Sequence, residues 1–215
     1  MQHIIVGLLV LATLAFPRAA AQQRATPAEI REAEINVPAL AEVLDLRPGM
    51  TVADVGAGLG DMAMVMARIV GPNGRVYATD VAALQLQVLR QAVTDQHLDN
   101  VVVVEGAERA TALPEACCDA IYMRDVYHHF VFPADMDRSL FSALKRGGRL
   151  AIIDFDPEPG SRLPQGVAAN RGGHGIRPPQ VIDEVTTAGF KHLKTITEWP
   201  PDGKGRFFLL LFARP

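Results

Sequence analysis

The segment Thr51 to Asp61, TVADVGAGLGD, constrains the fold of this chain more than any other. Thr51 to Val55 reads as a short apolar strand, and the residues from Asp61 to Val70 read as a helix. Between them stand Gly56, Gly58 and Gly60. Glycine takes backbone angles closed to other residues, so the chain can turn sharply, and a ligand can approach the backbone with no Cβ in its way. A strand that enters a helix through such a loop opens an α/β unit, which makes a testable demand on the remaining sequence.

That demand is met. Upstream, Ala28 to Leu44 reads as a helix from the spacing of Ile30, Val37, Leu40 and Leu44, with Pro38 marking a kink or a division. Downstream, strands are expected at Arg75 to Thr79, Val101 to Glu105, Asp119 to Met123 and Arg149 to Phe155. Helices are expected between them at Ala82 to His97 and Ala134 to Leu144, and after them at Gln180 to Ala188. The four valines of the third strand suggest burial on both faces. Such alternation implies a parallel sheet with right-handed crossovers, covered on both sides. The ending differs: strands at Leu193 to Glu198 and Arg206 to Phe212 are joined by Pro200-Pro201-Asp202-Gly203 with no helix, so they pair antiparallel. A sheet of this kind binds ligands at the carboxyl ends of its strands, beside the first strand.

The glycine loop also discriminates between ligands. A dinucleotide fold wants G-x-G-x-x-G; here the third glycine falls one residue early and Asp61 takes its place. A carboxylate at the helix N-terminus repels a pyrophosphate but tolerates a zwitterion bearing a sulfonium. Asp80 closes the second strand, roughly twenty residues past the last glycine, where an acid accepts hydrogen bonds from both ribose hydroxyls. A cap on the following helix is the other use for an Asp in that position.

Together DVGAGLG, YATD, VVEGAE, AIYMRDVYHHF and LKRGGRLAIIDF resemble the successive motifs of class I S-adenosylmethionine-dependent methyltransferases, over about Arg31 to Phe212. The departures are Lys145-Arg146, where the family usually has a proline before the glycines, and Ala107, where it often has Asp. The resemblance implies a three-layer, Rossmann-like α/β fold with seven strands in the order 3-2-1-4-5-7-6, the last antiparallel. It implies S-adenosylmethionine as cofactor, with Asp54, Gly56, Ala57, Gly58 and Gly60 around its methionine part and Asp80 with Val81 at its ribose. Ala107 and Glu108 then lie by the adenine, and Asp125 faces the ammonium group.

The methyl acceptor is expected at the segment after the fourth strand, where Tyr127 is a candidate contact and His128 or His129 a candidate general base. Imidazole titrates near ~6.5 and suits proton removal at neutrality. The alternative use of either histidine is packing. The Gly- and Pro-rich stretch Pro157 to Pro179 resembles the substrate-covering region of this fold, with His174 as an acceptor contact. Asp125, Asp154 and Asp156 are placed like the oxygen ligands of catechol-type magnesium sites, but acids on separate strand ends are common without an ion, and no metal is expected. Cys117 and Cys118, adjacent, read as small apolar residues entering a strand.

Composition narrows the partners. With 21 Lys and Arg against 24 Asp and Glu, net charge −3 and no basic cluster, nucleic acid is not an expected partner. A small-molecule acceptor is, and the sequence gives no oligomeric state. Ile4 to Phe16 is an apolar run too short to span a bilayer, and Ala19-Ala20-Ala21 offers a cleavage pattern. Residues 1–21 are therefore expected to be a signal peptide for periplasmic export, 22–48 a helical segment and 49–215 the methyltransferase domain. No further membrane association is expected. Because S-adenosylmethionine is made in the cytosol, an exported S-adenosylmethionine- or nucleoside-binding protein without turnover stands as the alternative.

Overall fold

The computed structural model describes residues 24–158, 160–171, 173–200 and 205–215; the expected signal peptide and most of the terminal hairpin's connection lie outside them. The elements run α1 (Pro27–Val43), β1 (Thr51–Val55), α2 (Asp61–Val70), β2 (Arg75–Asp80), α3 (Ala83–Asp95), β3 (Val101–Glu105), β4 (Cys118–Arg124), α4 (Pro133–Ala143), β5 (Leu144–Asp154), α5 (Pro178–Thr187), β6 (Lys191–Trp199) and β7 (Phe207–Ala213). Short 3-10 turns occupy Tyr127–His129 and Ala169–Arg171.

The strands form one sheet in the order β3-β2-β1-β4-β5-β7-β6. The first five pair in parallel, and β7 runs antiparallel to both β5 and β6. The expected fold class and the terminal reversal are both present.

Strand geometry divides the core in two, because successive side chains point to opposite faces. Ala120 and Tyr122 of β4, Ala151 and Ile153 of β5, and Leu209 and Leu211 of β7 join the layer packed under α1 and α2. Their neighbours Ile121 and Met123, Leu150 and Ile152, and Leu210 and Phe212 join the layer under α4 and α5. A strand buried on both faces can have no polar face, and that is why the central parts of β4 (Ala120 to Met123) and β5 (Leu150 to Ile153) and the whole of β7 carry side chains packed on both sides.

Three expectations need correction. The valine run of β3 is not buried on both faces: β3 is an edge strand, and Val102 is 37% exposed. Its valines satisfy strand propensity without full cover. Pro38 does not divide α1, which runs unbroken through it. Pro38 lies on the exposed side, where water serves the carbonyl left without a partner. Ile30 belongs to no apolar stripe facing the core and is 41% exposed; the buried face is Ala33, Asn36, Val37, Leu40 and Ala41. The start of α1 is set by a capping box, Thr26 accepting from the Glu29 amide at 3.3 Å and Glu29 accepting from the Thr26 amide at 2.6 Å.

Candidate functional site

The carboxyl ends of β1, β2, β4 and β5 open on one edge of the sheet, and two adjoining cavities occupy it. A cavity of about 340 Å³ lies over the glycine loop, lined by Asp54, Gly56, Ala57, Gly58 and Asp61 together with Glu29, Glu32, Arg124 and Asp125. A second, of about 500 Å³, shares Glu32, Arg124 and Asp125 and is closed by Asn36, Arg206 and Phe207.

In the first cavity two glycines do different work. A Cβ on Gly56 would meet Val126 Cγ2 at 2.5 Å, so that glycine is required by packing. Gly58 has φ +53 and would meet nothing within 4 Å, so its backbone is the part bared to a ligand. Asp80 braces the loop from the next strand: its carboxylate accepts from the Gly58 amide at 3.0 Å and from the Ala82 amide at 2.9 Å. Each carboxylate oxygen keeps acceptor capacity for a further donor. Asp80 thus braces the loop and the turn leading into the next helix, whose N-cap Ala82 makes no side-chain cap bond. Val81 beside it is 60% exposed, an apolar side chain left in solvent. The Gly106 amide donates to the Asp80 carbonyl at 2.9 Å, which brings Ala107 and Glu108, both exposed, to the same end of the sheet.

Charge gives this cavity its character. Five acids, Glu29, Glu32, Asp54, Asp61 and Asp125, surround one cation, Arg124, which is paired with Glu32. Asp54 is 4% exposed and accepts a hydrogen bond from the Tyr122 hydroxyl at 2.9 Å. Burial pushes its pKa up to about 8; the Tyr122 bond opposes this, and Asp61 and Asp80 add to it. Burial raises Asp61 as well. Asp125 holds a left-handed φ of 61°, its amide donating to the Ile153 carbonyl at 2.9 Å. A strained residue at a ligand-facing edge is one the surrounding structure has to enforce.

The residues after β4 separate sharply. Tyr127 is fully buried, its hydroxyl lying 2.9 Å from Asp137 Oδ2 and 3.0 Å from Glu184 Oε2. Glu184 in turn holds the buried Arg171 at 2.5 Å. Tyr127 therefore ties α4 and α5 to the loop before α5 and lines neither cavity. The expectation of an acceptor contact there gives way to a core role, since the residue's backbone turn carries its ring under the sheet. That loop is also less open than its composition suggests, because Arg171 anchors it.

His128 is 1% exposed, and its Nδ1 lies 2.9 Å from Asp154 Oδ1. The His129 ring stands 4.2 Å from it, and the His174 ring 4.8 Å, edge-on. Burial and the neighbouring His128 hold His129 below the usual histidine range. His174 reaches this cluster because Gly175, at φ +105, lets the loop pass close to the end of β5; a Cβ there would lie 2.8 Å from the Phe155 carbonyl oxygen. The expected acceptor-side histidines are thus brought together from two loops far apart in sequence.

Among the cavity-lining residues that the reading of the sequence did not mark are Asn36 and Glu32. Asn36 is 3% exposed, lines the second cavity, and its Oδ1 has no partner. Its signal was a polar residue on the apolar stripe of α1. Glu32, one helical turn earlier, gave no signal, because an acid on a helix surface is ordinary.

A methyltransferase-domain family model matches residues 46–187, from just before β1 to the end of α5. The chain belongs to this methyltransferase family. Among its relatives, the ubiquinone/menaquinone biosynthesis C-methyltransferase UbiE of Ectopseudomonas mendocina is 32% identical over 57% of this chain and 48% of its own length. The protein-L-isoaspartate O-methyltransferase of Methanothermobacter thermautotrophicus is 32% identical over 54% of this chain and 51% of its own. The chain spans about half the length of the curated relatives it matches. A solved S-adenosylmethionine-dependent methyltransferase from Aquifex aeolicus shares the fold with TM-score 0.69 at 24% identity, covering 89% of this chain and all of that one.

The family's cofactor is S-adenosylmethionine, and the first cavity fits it. The cofactor carries a sulfonium and an ammonium, and a cavity lined by five carboxyl groups is of the sign that would receive them. The bare Gly58 backbone accommodates its body, and the remaining acceptor capacity of Asp80 suits ribose hydroxyls.

Proposed function

We propose that this chain transfers the methyl group of S-adenosylmethionine to a small nucleophile seated in the cavity beside Arg124 and Asp125. The observation that supports this is the pairing of cavities: an acidic one over the glycine loop and a second one sharing its wall at Glu32, Arg124 and Asp125. When bound, the cofactor supplies an electrophilic methyl; the acceptor's bond to carbon forms as the carbon–sulfur bond breaks, and S-adenosylhomocysteine leaves with the electron pair.

The chain's own residues bind and orient. Asp54 and Asp125 hold the amino end of the cofactor, Asp80 and Val81 its ribose, and Ala107 and Glu108 its adenine edge. Holding two reactants in line supplies much of the acceleration in such a transfer, with effective molarities reaching ~10⁵ M or more. Asn36, buried with a free Oδ1 in the second cavity, positions the acceptor through a donor on the acceptor itself. His128 and His129 line neither cavity, so of the two only the exposed His129 is open to receive a proton from the acceptor. A small acceptor suits a cavity of about 500 Å³. The two named relatives act, by their names, on a quinone precursor and on a protein residue, so kinship points to the shared transfer and not to a shared acceptor. We place the reaction in the periplasm, on the strength of the apolar run Ile4 to Phe16 and the Ala19-Ala20-Ala21 pattern.

The test is incubation of the full chain with methyl-labelled S-adenosylmethionine and a panel of phenols, quinols, thiols and amines. Label in an acceptor, with S-adenosylhomocysteine formed in equal amount, is expected. Tight binding of S-adenosylhomocysteine without transfer to any acceptor would favour a binding protein instead.

A further inference from the structure

We propose that His128, His129 and His174 form a site for a divalent transition-metal ion of the zinc, cobalt or nickel kind, with one position left open for a further ligand. No metal is expected here from the residues in order, because His174 is brought to the other two only by the loop after β5.

Asp154, at the end of β5, is fully buried. Its Oδ2 accepts from the His128 amide at 3.1 Å, and its Oδ1 accepts from the Phe155 amide at 2.9 Å. Both oxygens already accept from backbone amides, so Asp154 meets His128 Nδ1 at 2.9 Å as an acceptor and that nitrogen is assigned as the donor. The lone pair of the imidazole is then on Nε2. Nε2 is buried and has no hydrogen-bond partner. A carboxylate behind the ring with the far nitrogen unpartnered is the arrangement of a metal-binding histidine, in which the acid sets the tautomer and raises the basicity of the ligand.

The neighbours are the right kind. One nitrogen from each of the three histidines lies within 4.8 Å of the others. Around an ion with metal–nitrogen bonds of about 2.0–2.1 Å, tetrahedral ligands stand ~3.4 Å apart. Side-chain rotation in His129, which is exposed, and His174, which is half-buried, can supply the remaining approach. Imidazole prefers zinc, nickel, copper and iron to magnesium or calcium. Three protein ligands and an open position are the pattern of a reactive site, whereas structural zinc is closed by four.

A competing set, Asp125, His128 and Asp154, also lies within 4.8 Å. It asks for the Nδ1 side of His128, which Asp154 already engages, and Asp125 Oδ1 stands 4.0 Å from that nitrogen. Asp154 therefore serves behind the ring and not on the ion. The open position would hold an acceptor hydroxyl or thiol and ease loss of its proton. That role rests on the transfer reading; the binding of the metal does not.

Cobalt(II) tests the site, because tetrahedral coordination gives it intense visible bands. The untagged full chain, treated with chelator and dialysed, is titrated with the metal alone. One equivalent of tetrahedral cobalt is expected. His174→Ala, a change in a loop, should weaken binding at least tenfold, and His192→Ala, on β6, should leave it unchanged. Asp154→Asn, where circular dichroism shows it folded, should weaken it about 10- to 100-fold. Absence of the bands at millimolar cobalt, or equal titration of His174→Ala and the parent, overturns the proposal and leaves the cluster to accept the proton directly. S-adenosylhomocysteine affinity of the chelator-treated protein is measured in parallel. Its loss with metal binding intact would count against the transfer reading alone, and its retention without metal binding against the metal alone.

Discussion

Asp54 carries the most exacting prediction. Its carboxyl is raised from 3.8 to about 8, chiefly because burial penalises the charged form. That displacement corresponds to roughly 5–6 kcal/mol against ionisation. A raised folded-state pKa means that the native protein holds this proton more tightly than the unfolded chain does. The associated stability is complete below pH 3.8 and is lost as pH rises through about 8. At pH 6.5 the ligand-free protein therefore keeps Asp54 almost wholly neutral.

An ammonium group brought against Asp54 reverses the balance, because an opposite charge favours the carboxylate. Binding should then expel a proton. Calorimetry of S-adenosylhomocysteine binding at pH 6.5, in buffers of different ionisation enthalpy, should show close to one proton released. Affinity should rise about tenfold per pH unit below pH 8 and level off above it. Asp54→Asn should abolish both effects. Tyr122→Phe removes the hydrogen bond that favours the charged form, so the levelling should move to higher pH. Affinity that is flat between pH 6 and 8, with no proton released, would refute the placement of the ammonium at Asp54.

Asp80→Ala should weaken S-adenosylhomocysteine binding by ~1.5–3 kcal/mol, since it removes charge-assisted hydrogen bonds; unchanged affinity in a folded variant would sink the ribose assignment. Tyr127→Phe leaves Asp137 buried without its partner and should lower stability by about 1–3 kcal/mol in denaturant melts, while the transfer rate of the folded fraction stays at the parental value. Asn36→Ala should raise the acceptor's KM with S-adenosylhomocysteine affinity unchanged; equal loss of both would assign Asn36 to the fold of α1. Mass spectrometry of protein from its native host should find Gln22 at the N-terminus, and an intact Met1 to Ala21 segment in a soluble cytosolic fraction would refute export.

Period and glycine spacing determined the strands, their parallel run with a terminal reversal and the bare glycine loop, because those features are local; the strand order followed from the resemblance of the successive motifs to the family. A strand buried on both faces must be apolar throughout, as β7 is. A backbone that must turn and stay bare must be glycine, as Gly58 is. Asp80 was legible for the same reason, since its position follows from the end of the strand next to the loop. The tertiary structure alone decided the rest. In a run reading Tyr-His-His, nothing local says which side chain goes under the sheet; packing with Asp137 and Glu184 took Tyr127, and Asp154 took His128. Val102 shows the same limit from the other side, because an edge strand and a central strand can carry the same valines. The meeting of His128 and His129 with His174 depends on Gly175 passing the end of β5 and on Arg171 anchoring the loop to α5. Contacts between residues far apart in sequence arise from how the layers close, and no periodicity in a single segment encodes them.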